Sequence, residues 1–493
     1  MIHKQAPMSP SDHALCAFLQ SELLVIANEA RRRQPELKEA MDGWLADLRA
    51  VQSKTAHELS TLLATRKPGL IGLVTEAAIG PGQARCLPCS VNIAMRLVTL
   101  IPTVLGDARD ILVILSRACT ASEKEGGGED VQLKCLQTVI PLWQNYLDTL
   151  VRDDLVYKLF AICFRLCSPG ANNDGLHSNK QLESTRRKQS SVSNAAMAIT
   201  RQLMIYLFEW STTRGDSTMM VNILEDVCGW MTMANGSSNY EIKYLLLDSG
   251  GSEGGDQYMQ EQAFCIEIFE SLLAIDPKQL EKINDLLSMI KEQVCPFVIR
   301  RLDAASDSLP VKVRLWRLVI VVLTEYGSLL PLECEIFLSF MMTRILEEPD
   351  DDGRSGLVMV LESTEEVTRT GNLDHLIHLS GAVKDTPSPA FSDLVKTLSK
   401  FLLNEATNMG LDSVQVGPYD QSSPKIALLS SFERTGRVAI PVGYPMLLGV
   451  KIMQNLIDRA SRNDPAVRNI LTSLVVNQTK QVAETVDRFC GLT

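Results

Sequence analysis

In residues 13–33, HALCAFLQSELLVIANEARRR, the apolar side chains Leu15, Phe18, Leu19, Leu23, Ile26 and Ala30 recur at helical spacing. That spacing lines one face of an α-helix. Arg31, Arg32 and Arg33 close the C-terminal end, where cations suit the negative pole of the helix dipole. Pro35 opens a second helix, at a position where its missing N–H costs nothing, and Leu37, Met41, Trp44, Leu45 and Leu48 draw the same stripe. Two amphipathic helices joined by so short a turn fold back antiparallel and bury their stripes against each other.

The unit recurs. VQLKCLQTVIPLWQNYLDTL (131–150) is followed by LVYKLFAICFRLC (155–167) and by a helix with Ile199, Leu203, Tyr206 and Trp210 in register. Further on come AFCIEIFESLLAI (263–275), LEKINDLLSMIKEQVCPFVIRRL (280–302), VKVRLWRLVIVVLTEYG (311–327) and LLPLECEIFLSFMM (329–342). FSDLVKTLSKFLL (391–403), PMLLGVKIMQNLIDRA (445–460) and PAVRNILTSLVVNQTKQVAETVDRF (465–489) complete the series. No stretch alternates at the two-residue period of a strand. Helix pairs of about 40 residues without a strict signature predict an all-α, armadillo/HEAT-like helical-repeat superhelix. Aromatics are only 5% of the 493 residues against 45% hydrophobic, so aliphatic and sulfur side chains must fill the core, which also favours stacked helices.

Polar joints divide the array. Residues 1–12 read as a tail, 13–212 as a first helical region, 213–262 as the boundary and 263–493 as a second helical region. The segment 168–194, SPGANNDGLHSNKQLESTRRKQSSVSN, reads as a long polar loop within the first region, and 211–262 as the weakest helical stretch. ASEKEGGGED (121–130), DSGGSEGGDQ (248–257) and EEPDDDGRSG (347–356) read as further exposed loops.

The formal net charge of −11 argues against nucleic-acid binding, which needs a basic surface. The N-terminus has no secretory signal pattern, and LWRLVIVVL (315–323) is too short to span a bilayer. The expectation is a soluble intracellular protein whose 12 cysteines are reduced and whose sequons at Asn235 and Asn477 are unused.

Little chemistry is legible. Glu333 and Glu335 flank Cys334, but on a helix they point about 200° apart and share neither a metal nor a proton. Pro331 at a first helical position and acids just after it mark a helix start, with Leu332, Ile336, Phe337, Phe340 and Met341 expected on the packing face. CLPC (86–89) is the only C-x-x-C; it lies among helical patterns and has no second pair to complete a zinc site. His375 and His378 could share a helix face, but no third ligand stands at metal spacing. GGGED and GGSEGG lack the Lys-Ser/Thr of a phosphate loop, and no hydrolase or metalloprotease motif occurs. No catalytic residue, cofactor or metal is expected.

The stretch STRRKQSSVSN (184–194) is the one candidate site. Arg186, Arg187 and Lys188 precede Ser190 and Ser191 in the polar loop. A solvated basic patch is the plain reading. The functional one is contact with anionic lipid, worth about 1 kcal/mol per basic residue. Phosphorylation of Ser190 or Ser191 by a basophilic kinase would cancel most of that charge.

Several stretches taken together resemble a known family. FLQSELLVIANEARRRQPELKEAMDGWLADLRA (18–50) is similar to the opening of the dimerisation and cyclophilin-binding (DCB) region of large Arf guanine-nucleotide exchange factors. VQLKCLQTVIPL, LVYKLFAICFRLCS and NAAMAITRQLMIYLFEW continue that region in order. LLPLECEIFLSFMMTRILEEP resembles the homology-upstream-of-Sec-seven (HUS) core. The ECEIFLS wording and IPVGYPMLLGVKIMQNLID (440–458) are most similar to the branch without an exchange domain, the monensin-sensitivity (Mon-two) trafficking scaffolds. The exchange-factor N-Y/F-D-C box is absent, as that branch requires. The resemblance implies an armadillo-like fold and no catalysis. It also implies peripheral association with trans-Golgi network and endosomal membranes in vesicle-mediated protein transport. Implied partners are Arf-like small GTPases and Dopey-type trafficking proteins, with self-association through the DCB-like region. A generic HEAT-repeat adaptor, such as a transport receptor or phosphatase scaffold, is the alternative.

Overall fold

The computed structural model describes residues 10–31, 34–52, 56–80, 85–100, 108–121, 127–152, 154–167, 179–232, 255–303, 309–347, 353–369, 389–408, 444–461 and 472. Among the described residues every regular element is helical, so the chain is all-α, with helices stacked on near neighbours in sequence as in helical-repeat proteins. It divides into two compact units, the first mainly residues up to Trp210 with Asn222–Gly229, the second mainly residues from Gln262 with Ser211–Val221.

In the first unit, α1 (Pro10–Ala30) and α2 (Pro35–Gln52) form the expected hairpin. Leu15, Leu19 and Leu23 meet Leu37, Met41, Trp44 and Leu45 in one buried layer. Phe18, expected in that layer, is only half-buried; the Arg96 guanidinium covers its ring at 5.5 Å from the centroid. Trp44 is fully buried, and its indole N–H donates to the carbonyl of Pro68 at 3.1 Å. Arg66 lies over the ring, 4.9 Å from the centroid, pairs with Asp47 and donates to the carbonyl of Gly43 at 3.1 Å. A Cβ on Gly43 would stand 2.6 Å from the guanidinium, so any larger residue there would displace Arg66 from this position.

The unit continues through α3 (Ala56–Thr65), α4 (Leu70–Ile79), α5 (Cys86–Leu100), α6 (Ala108–Thr120), α7 (Glu129–Arg152) and α8 (Val156–Cys167). α5 packs on α1, α4, α6 and α7, and α6 on α4, α7 and α8. Side chains satisfy carbonyls across these joints. Ser90 donates to Val74 O at 3.1 Å, and Asn145 to Val98 O at 2.9 Å. α7 carries Pro141 in its interior and, five residues further on, leaves helical geometry in a kink at Tyr146 (φ −129°, ψ 16°).

α9 (Asn179–Arg214) and α10 (Thr218–Thr232) correct two expectations. The polar loop assigned to 168–194 is helical from Asn179 onward. The glycine- and proline-bearing part ends before that point, and residues 179–190 contain neither. Val192, Ala196, Leu203, Leu207 and Phe208 anchor the helix in the core. Once such a nucleus stands, extending it by polar residues costs little. Helix α9 ends at Gly215, whose φ of +71° suits a left-handed cap and whose N–H donates to Ser211 O at 2.9 Å. The stretch expected to be weakly helical contains α10, with Met220, Ile223, Leu224 and Val227 buried.

In the second unit, α11 (Gly255–Leu273) leads to α12 (Pro277–Leu280), capped by Asp276, whose carboxylate accepts from the N–H of Lys278 at 3.0 Å. The helical stretch expected over 280–302 runs without interruption from Asn284: α13 (Asn284–Met289) passes through a π turn at Ile290–Val294 into α14 (Cys295–Asp303). Pro296 would clash with the carbonyl four residues back in a regular helix, and the wider turn precedes it directly. α15 (Leu309–Glu325) is tied to α11 by the half-buried Arg314–Glu267 ion pair. Tyr326, fully buried, donates its hydroxyl to Ile275 O at 2.9 Å.

Next come α16 (Pro331–Leu346), α17 (Gly353–Arg369), α18 (Pro389–Asn408) and α19 (Tyr444–Ser461). α16 packs on α17 and α18, and α19 on α17 and α18. Gly449 permits the last contact, since a Cβ there would meet Leu402 Cδ2 at 2.8 Å. Of the helix expected over 465–489, all but Thr472 lies outside the described residues.

Candidate functional site

The candidate stretch sits on the N-terminal part of α9. Its backbone is helical from Asn179, which places Arg186, Arg187, Lys188, Ser190 and Ser191 on a helix rather than a loop. The side chains of residues 179–190 lie outside the described set. Ser191 is described and exposed, and its hydroxyl donates to the Glu129 carboxylate at the start of α7. The next residue, Val192, is buried, and Ser193 donates to Cys167 O at 2.6 Å. Thr200 reaches the Cys167 thiol at 3.8 Å. α9 is thus seated on the ends of α7 and α8 from Ser191 onward. Glu129 was not legible as a partner, because nothing in the sequence links positions 62 residues apart.

CLPC occupies the first turn of α5, and both thiols are buried. Burial, reinforced by the charge of Glu29, pushes the Cys86 thiol up to about 11. Burial and the neighbouring Glu22 raise that of Cys89 further. Reactive C-x-x-C sites depend on depressed thiol values, so this environment works against thiolate chemistry. The described cysteines are all free, and every one but Cys119 is buried.

Glu333, Cys334 and Glu335 start α16 behind Pro331 at the first helical position, as the spacing predicts. The face they belong to differs from expectation. Cys334, Phe337, Leu338, Met341 and Ile345 are buried, with the Cys334 thiol 3.7 Å from Val322 O. Leu332 and Ile336, expected inside, are 62% and 43% exposed. Phe340 is half-buried, its ring centroid 6.1 Å from that of the buried Trp316. Burial raises the Cys334 thiol, and burial with the nearby Glu333 charge raises Cys295 to about 12.

Among the described residues no group of His, Cys, Asp and Glu is arranged to hold a metal, and no helix is long and apolar enough to cross a membrane. His375 and His378 lie outside those residues. What the described surface offers is helix faces.

Comparison with known families fits that character. Residues 10–213 match the dimerisation and cyclophilin-binding domain of Mon2/Sec7/BIG1-like proteins, and residues 220–378 match their HUS domain. The MON2 homologue of Xenopus laevis is 24% identical over 428 residues, 78% of this chain and 22% of the relative. That of Schizosaccharomyces pombe is 23% identical over 399 residues, covering 80% and 22%. The Homo sapiens homologue is 23% identical, covering 78% and 22%. The chain therefore spans only 22% of the length of these relatives. With its two helical domains matched in order, the chain belongs to the Mon2/Sec7-like family and carries that family's DCB and HUS domains.

Proposed function

We propose that the chain is a non-enzymatic scaffold in vesicle-mediated protein trafficking between endosomes and the Golgi. It works through protein–protein contacts with Arf-like small GTPases and Dopey-type proteins, with self-association through the DCB domain. It sits peripherally on trans-Golgi network and endosomal membranes. The observation that carries this reading is the ordered pairing of DCB and HUS domains over residues 10–213 and 220–378. The buried, protonated thiols of CLPC support a role without catalysis. With a net charge of −11 the protein as a whole is repelled by anionic headgroups, so attachment falls to a local basic segment or to a protein partner.

Imaging the tagged chain against a trans-Golgi marker tests the location, and a pull-down with mass spectrometry tests the partners. Coincidence with the marker and recovery of an Arf-like GTPase are expected. A diffuse signal with transport receptors or phosphatase subunits recovered instead would reject the reading. Liposome co-sedimentation at low salt compares the parent with Arg186→Glu/Arg187→Glu and with Ser190→Asp/Ser191→Asp. Weaker binding by both variants assigns attachment to the start of α9; equal binding by all three assigns it to a partner.

A further inference from the structure

Three of the nine large apolar side chains that stand exposed among the described residues, Leu332, Ile336 and Leu346, belong to α16. They are not scattered. With the exposed Ser339 and Thr343 they form the series 332, 336, 339, 343, 346, whose steps of four and three repeat every 3.5 residues. That is the spacing of a coiled-coil seam. The inner face carries a second seam of the same period, Cys334, Leu338, Met341 and Ile345, and this one is buried against the rest of the unit. α16 therefore has two helix-packing faces about 180° apart, one occupied and one open to solvent.

The charges beside the open seam say what fits it. The flanking positions that would face a partner helix hold Glu333 and Glu335 at the N-terminal end, while Glu347 at the other end is paired with Arg344. The nearby cation, Arg344, is turned across Phe340 to Asp303 and Glu347. A second copy of the chain docked on this seam would set glutamate against glutamate. A membrane would set the same acids against anionic headgroups. A helix with apolar residues at 3.5-residue spacing and Lys or Arg on either side meets both the stripe and its rim.

We propose that the outer face of α16 is a docking seam for a basic amphipathic helix of a partner protein, packed along α16 in coiled-coil fashion. The site is independent of the membrane segment on α9 and of the location assigned above.

The probe is a synthetic fluorescein-labelled peptide of about 21 residues, three heptads, with Leu and Ile on its seam and Lys at the flanking positions. The control carries Glu in place of Lys. Anisotropy with the full chain is expected to show the Lys peptide bound at least about tenfold more tightly than the Glu peptide. Glu333→Lys/Glu335→Lys is expected to reverse the preference. Leu332→Asp/Ile336→Asp separates docking from general attraction to an acidic protein: it adds negative charge yet is expected to abolish binding. Both residues are exposed, and an unchanged circular dichroism spectrum verifies folding. Equal or tighter binding of the Lys peptide by the aspartate variant, or a preference unmoved by the charge swap, would overturn the proposal. So would a dimer of the parent chain, or its sedimentation with anionic vesicles, that is lost in the aspartate variant.

Discussion

The hydroxyl of Tyr444 donates to the carboxylate of Glu362 at 2.8 Å, joining α19 to α17 across 82 residues of sequence. Glu362 is only 9% exposed, and a second bond runs alongside, from Asn455 Nδ2 to Thr368 Oγ1 at 3.2 Å. A buried carboxylate is costly to leave short of donors. Tyr444→Phe keeps the ring and removes the donor, at an expected cost of about 1–3 kcal/mol. Urea unfolding of parent and variant measures this, and a midpoint shift of zero would show that water replaces the hydroxyl freely.

Trp44 is expected to be the most sensitive single position in the first hairpin. Its ring is fully buried between α1 and α2, covered by Arg66, with the indole N–H on Pro68 O. Trp44→Ala should cost about 3–5 kcal/mol. Phe18→Ala, at a half-buried site, should cost distinctly less. Equal losses at the two positions in thermal melts would contradict the packing described.

Stability should fall in alkali. Burial raises the Tyr146 phenol to about 12, Cys86 to about 11 and Cys295 to about 12, and it lifts Tyr326 and Tyr444 as well. The unfolded chain loses these protons near about 8.5 for Cys and 10 for Tyr. Above those values the unfolded state holds fewer protons than the fold, so unfolding becomes easier as pH rises. The contribution is fully present below about 8.5 and drains away toward the folded values. Melting temperatures should hold level near neutrality and drop between about pH 9 and 11. A flat or rising profile there would refute the assignment.

Ser191→Asp should loosen the start of α9. The hydroxyl that donates to Glu129 becomes a second carboxylate, so a bond is exchanged for repulsion. Hydrogen exchange over residues 179–195 is expected to quicken in Ser191→Asp, and less in Ser191→Ala. Identical exchange in all three proteins would show that the Ser191–Glu129 contact does not hold the helix.

Much of the architecture was legible because helix periodicity is a local property. Leu15, Leu19, Leu23, Leu37, Met41 and Trp44 are spaced to line a face, and a turn as short as that before Pro35 leaves only an antiparallel return. Pro331 and Glu333 likewise mark a helix start without help from the fold. The choice between two faces is not local. α16 is apolar on both sides, so its period allowed Leu332 and Ile336 to be inside; packing against α17 and α18 turned Cys334, Leu338 and Met341 inward instead. The start of α9 shows the same division. Its polar residues carry no stripe, and the helix there is continuous with a segment anchored by Val192, Ala196 and Leu203. The pairings of Ser191 with Glu129, Trp44 with Pro68 and Tyr444 with Glu362 exist only because the stack brings distant turns together. Spacing along the chain dictates which elements form, whereas the partners of a polar group depend on which helices are neighbours, and only tertiary packing decides that.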